Sequence, residues 1–101
     1  MSTSLAIRNA ASGIRLASKS LAATANNTAN LQTEGYRRVS VTGSAVKTGG
    51  VRPVTSRAAV PGADLVSDVV DRVSAVSLYR ANASVIRAVD ETKGQLIDLQ
   101  A

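Results

Sequence analysis

Two long helices, paired antiparallel as a coiled-coil-like hairpin and joined by a short irregular or β-hairpin segment, are what this 101-residue sequence predicts. Three observations carry that mainly α expectation. Alanine-rich stretches with apolar residues at heptad-like spacing occupy both ends of the chain. The turn-forming residues Gly43, Gly49, Gly50, Pro53, Pro61 and Gly62 all fall between them. Pro61-Gly62-Ala63-Asp64 then reads as a breaker followed by a helix N-cap. The chain divides into residues 1–35, an N-terminal helix with an Asn-rich turn, 36–63, a basic linker, and 64–101, a C-terminal helix, all within one domain.

The first helix is expected from about Ser4 to Asn30, roughly 40 Å at ~1.5 Å per residue. Ile7, Ala11, Ile14, Leu21 and Ala25 form its apolar stripe, interrupted at Ser18, with Arg8, Arg15 and Lys19 off it. Asn26, Asn27 and Asn30 suit its termination, because asparagine tolerates a left-handed closing turn and its side chain binds nearby backbone groups. Gly35 then permits a positive φ, and Tyr36 supplies a flat anchor with a polar tip.

In the middle, Val39 and Val41 alternate with Ser40 and Thr42, a strand pattern, and a hairpin centred on Gly49-Gly50 follows from it. The second helix is expected from Leu65 to about Leu99, with Asp64 and Asp68 at its positive end. It carries two apolar stripes. One is Val66, Val69, Val73, Val76, Ala83 and Ile86; the other is Leu78, Ala81, Val85, Val89, Leu96 and Leu99. One partner helix covers one stripe, so the second implies burial between subunits.

Composition narrows the function. There is no Phe or Trp, and only two Tyr, so a core must be built from Ala, Val, Leu and Ile, which leaves a chain of this size marginal on its own. The absence of Cys excludes disulfides and thiolate chemistry, and the absence of His removes the commonest general base and metal ligand. Ser44-Ala45-Val46-Lys47 has the Ser-x-x-Lys spacing of certain acyl-transfer enzymes, but Lys47-Thr48-Gly49 overlaps it on one lysine and no cleft can be built around both. Two Asn-x-Ser/Thr triplets, at Asn26 and Asn82, fall in helical pattern, a poor setting for a glycan. No enzyme activity, cofactor or metal site is expected.

The net charge of +5 is uneven: residues 1–63 carry eight bases and Glu34, residues 64–101 six acids and four bases. Opposite halves of this kind attract within or between copies. Arg37, Arg38, Lys47, Arg52 and Arg57 raise the alternative of a nucleic-acid-binding module. Only Tyr36 is there to stack on a base, so a solvated or subunit-facing charged loop fits better. A membrane-active amphipathic helical protein is the other alternative, although no apolar run reaches the ~20 residues of a membrane span. No cleavable signal peptide is visible at the N-terminus.

One motif is more specific than any of these. Ala25-Asn26-Asn27-x-Ala29-Asn30-x-x-Thr33-x-Gly35-Tyr36-Arg37 resembles the signature of the bacterial flagellar rod and hook family. Val73 to Val76, Tyr79-Arg80-Ala81-Asn82, Ile86-Arg87, Asp90-Glu91 and Leu96 to Leu99 resemble the final helix of that family. Thr28 stands where Leu or Ile is usual, and Arg80 where Glu is frequent. The short middle segment is similar to the short proximal-rod members, since hook and distal-rod members insert large β domains there.

The resemblance implies a structural subunit of the proximal rod in the flagellar basal body, self-assembling through its terminal helices around the export channel to transmit torque. Its partners would be other copies of itself, other rod proteins, the type III export apparatus and the base of the basal body. It would span the periplasm, exported without a cleaved signal peptide, with no specific nucleic acid and no membrane insertion. Carried onto this chain, the subunit-interaction residues are Ala25, Asn26, Asn27, Ala29, Asn30, Thr33, Gly35, Tyr36 and Arg37, together with Val76, Tyr79, Ala81, Asn82, Ile86, Val89, Leu96 and Leu99.

Overall fold

The computed structural model describes residues 3–100, with side chains described to residue 96. Its elements are α1 (Thr3–Ala29), β1 (Val39–Ala45), β2 (Val51–Arg57) and α2 (Leu65–Gln100). The molecule is elongated, 63 × 25 × 14 Å, because the two helices lie side by side and the hairpin runs along α1.

The end of α1 corrects one expectation. No described non-Gly residue has a positive φ, so the asparagines do not close the helix by turning left-handed. They work through side chains. Asn30 donates from both its backbone N (3.1 Å) and its Nδ2 (2.8 Å) to the Asn26 carbonyl, and its Oδ1 accepts from Thr33 Oγ1 at 3.0 Å. Side-chain bonds thus satisfy helix-end groups that lack intrahelical partners.

β1 and β2 pair antiparallel in the register Val39↔Arg57 to Ala45↔Val51. The turn is therefore centred on Thr48, with Gly49 and Gly50 in its second half rather than at its middle; Gly49 N donates to the Val46 carbonyl at 2.9 Å. Val39 and Val51 hydrogen-bond away from the ladder, to Asn27 and Ser12 of α1. By the alternation of an antiparallel pair, Pro53 also faces outward, where its missing N–H costs no ladder bond.

α2 begins as the sequence predicts. Asp64 Oδ1 accepts from Ser67 N at 3.0 Å, the N-cap bond, and the helix continues to Gln100.

The helix–helix seam is the main departure. Buried on α1 are Ala10, Gly13, Ala17, Thr24 and Asn27; facing them on α2 are Asp68 and Ala75, buried, and Asn82 and Val89, half-buried. The stripe Ile7, Ala11, Ile14, Leu21 and Ala25 instead lies beside the seam, half-buried except for exposed Ala25. Small residues win the seam because they let the two helix axes approach closely. Gly13 is a point of close approach: a Cβ there would lie 2.5 Å from Asn82 Nδ2. No large side chain among the described residues is fully buried, and the apolar core is Ala10, Ala17, Ala23 and Ala75.

A second face of α1 carries the hairpin. Ser12 Oγ donates to the Asn9 carbonyl (2.7 Å) and accepts from Val51 N (3.1 Å), while buried Ala23 lies against Val39 and Val41. Gly13 opposite Asn82 and Asn27 opposite Asp68 set the register. Stepping back from them along α1 brings Thr3 opposite Thr92, so α2 outruns α1 and Leu96 stands exposed.

Candidate functional site

The motif residues build a polar joint where α1, the hairpin and α2 meet. Asn27 is its centre and is buried in the last turns of α1. Its Oδ1 accepts from Val39 N at 2.8 Å and from Tyr36 Oη at 3.3 Å. Its Nδ2 donates to the Val39 carbonyl at 2.8 Å and, more weakly, to Asp68 Oδ1 at 3.4 Å. The side-chain amide therefore pairs with Val39 as the backbone of a neighbouring strand would.

Arg38 completes the joint. Its guanidinium donates to Asp68 Oδ1 and forms an ion pair with that carboxylate, which is 3% exposed. The bond to Asp68 raises the Arg38 pKa above its usual value, opposed by burial and helped by the charges of Asp68, Asp64 and Asp71. Arg38 Nε and Asp68 Oδ2 are both buried without a partner. One is a donor and the other an acceptor, the pair of atoms that a bidentate arginine–carboxylate fork would use beside the bond already made.

The solvated or subunit-facing loop expected to hold Arg38 is corrected here, since Asp68 engages it; Asp68 does stand in the first turn of α2, as expected, and gains this partner as well. The signal that points to Asp68 is the heptad of small and polar residues Asp68, Ala75 and Asn82, which marks the seam as polar at one end; no such signal marks Arg38. Periodicity of large apolar residues points one step away from it.

Arg57 stands over the Tyr36 ring, 5.7 Å from its centroid, and donates to the Arg37 carbonyl. Gly62 N donates to the Tyr36 carbonyl at 3.3 Å, tying the linker back to the same point. Gly35 supplies the bend, with φ +75° and nothing within 4 Å of where a Cβ would be. A Gly35→Val chain is accordingly expected to lose ~1–3 kcal/mol from backbone strain alone. Ser40→Val gives up only an exposed bond to Ser56 in a strand that favours Val. Urea midpoints of the two variants that coincide would remove the strain argument.

The other motif residues fall into two groups. Asn26, Ala25, Ala29, Thr33 and Arg37 are exposed; Ala25 and Ala29 line a shallow groove with Leu21, Thr28 and Arg72. On α2, Val76, Asn82, Ile86 and Val89 are half-buried, whereas Tyr79, Ala81 and Leu96 are exposed. Leu99 lies outside the residues whose side chains are described.

The hairpin covers only one side of the helix pair. There a groove of about 320 Å³ runs between α1, β1 and α2, lined by residues that include Leu16, Val41, Asp71, Ser74 and Leu78. The opposite side has no strand over it. Ile7, Ile14 and Leu21 of α1 are half-buried beside the seam, and at the start of α2 Leu65, Val66, Val69, Val70 and Val73 are each 52–76% exposed. The exposed run is the N-terminal part of the first stripe of α2, which becomes half-buried further along at Val76 and Ala83. A run of apolar residues so exposed marks an interaction surface.

No helix among the described residues is long and apolar enough to cross a membrane. No protein-family model matches the chain, and no curated protein matches it.

Proposed function

We propose that this chain is a structural subunit of the bacterial flagellar basal-body rod, akin to the short proximal-rod members and most of all to the "C" rod protein. It packs with other copies and with other rod proteins around the export channel and transmits torque through those contacts. The observation that carries this reading is the exposed apolar run at the start of α2, on a chain whose described residues include no fully buried large side chain. Such a molecule gains its apolar burial by assembling. The motif from Ala25 to Arg37 adds support, since Asn27 and Tyr36 meet in one joint, Asn30 and Thr33 close the helix beside it and Gly35 supplies the bend between them.

Nucleic-acid binding is less well supported. Tyr36 is covered by Arg57 and Arg38 is engaged by Asp68, which removes the stacking ring and one cation from the basic face. The membrane-active alternative rests on the same apolar run, and release of the chain by vesicles from its rod partners would favour it.

The test is genetic and structural. Basal bodies purified from the bacterium that makes this chain should contain it in the rod, and a strain lacking the chain should build no hook. Complete basal bodies and normal swimming in that strain would overturn the proposal.

A further inference from the structure

The helix–helix seam nearly repeats itself. Ala10, Ala17 and Thr24 recur every seven residues on α1, and Asp68, Ala75, Asn82 and Val89 every seven on α2. A seam of small side chains repeating by the heptad packs almost as well after sliding one heptad, ~10.5 Å along the axis. Residues 58–64, which form no helix or strand, join α2 to β2, so such a slide gives up the Gly62–Tyr36 bond but leaves the hairpin ladder intact. Packing of alanine on alanine cannot choose between these registers.

Two features break the repeat. Gly13 is the one glycine of α1, and the Asn82 amide lies flat upon it, held back on its own helix by a bond from Nδ2 to the Leu78 carbonyl at 2.9 Å. Slid by a heptad, Asn82 would meet Ala6 or Ser20, whose Cβ atoms occupy the space that Gly13 leaves. At the other end, Asp68 finds Arg38 and Asn27 in one register only. Slid away from them, its carboxylate would lose both partners, the costly case of a buried charge without a counter-ion.

We infer that the Gly13–Asn82 notch and the Asn27–Arg38–Asp68 cluster form a register lock, without which α2 slides by one heptad along α1. The lock is a positioning device: it decides where the exposed run of Leu65, Val69 and Val73 stands along α1. That it governs assembly rests on the rod reading; the lock itself does not.

The chain has no cysteine, so labels can be placed cleanly. Nitroxides at Ser18→Cys and Ser84→Cys sit on exposed positions of α1 and α2, about one heptad apart along the axis in the observed register. Pulsed electron-spin distances are measured in trimethylamine N-oxide, which favours the folded state. The parent and the Asn82→Ala chain should each give one dominant distance. The triple variant Arg38→Met, Asp68→Leu, Asn82→Ala should keep its helical circular dichroism and show a second population displaced along the axis by ~10 Å.

A folded triple variant with the parent distance alone would overturn the lock, and so would a triple variant that loses its helices, since the slid register must be of comparable stability. If the slid population appears but cells carrying the triple variant still build rods, the lock stands and its role in assembly falls.

Discussion

Asp68→Leu should unfold the chain at 25 °C, and adding Arg38→Met to it should bring the helices back. The single change leaves the Arg38 guanidinium at a largely covered site with its Nη2 donor unanswered, and removes an acceptor from Asn27. Deleting one partner of a buried ion pair costs ~3–5 kcal/mol. A domain of about this length has only ~5–15 kcal/mol in total, and a chain whose buried apolar core, among the described residues, is four alanines belongs at the low end of that range.

The double change removes both charges and both orphaned atoms, Arg38 Nε and Asp68 Oδ2, together. Replacing a whole buried pair by apolar side chains is often neutral or stabilising. Helical signal and urea midpoint are the readouts. A single variant that melts with the parent, or a double variant no better than the single, would show that the pair contributes little.

The second large effect belongs to the exposed apolar run of α2 and separates folding from assembly. Val69 is 53% exposed in the monomer, so Val69→Asp places a carboxylate in water, early in a helix whose N-terminal dipole favours it. Monomer stability should move by no more than ~0.5 kcal/mol. Within an interface the same carboxylate loses its water without a partner, and a central position of that kind costs ~2 kcal/mol or more, at least roughly 30-fold in affinity.

Rods should therefore fail in cells carrying Val69→Asp, while Ser77→Asp, on an exposed position of the same helix, leaves them intact. Val85→Asp tests the second stripe in the same way, since Val85 is also exposed. Val89 is unsuitable for that purpose, because it is half-buried on the seam and a charge there would disturb the monomer itself. Normal rods from Val69→Asp would take the run out of the interface.

Much of this molecule is legible in the order of its residues. Helix propensity and apolar spacing are local, and they place α1 and α2 to within a residue or two of their observed ends. Asp64 announces the start of α2 because an N-cap needs only its own first turn. The strand alternation from Val39 and the paired glycines announce the hairpin for the same reason. That Asn27 and Tyr36 belong to one structural unit is legible as well, through the motif that holds them.

The tertiary structure decided which face of each helix meets which neighbour. Spacing alone favours the stripes with the largest apolar side chains, Ile7 to Ala25 and Val66 to Ile86. The closest approach of two helices is instead limited by side-chain size, so Ala10, Gly13 and Ala17 take the seam and the larger stripes are left beside it. Likewise, Arg38 and Asp68 are thirty positions apart and ordinary surface charges by local pattern. They become a buried pair only because Asn27 seats β1 against α1 at the place where α2 begins, a coincidence of three elements that no single stretch of sequence contains.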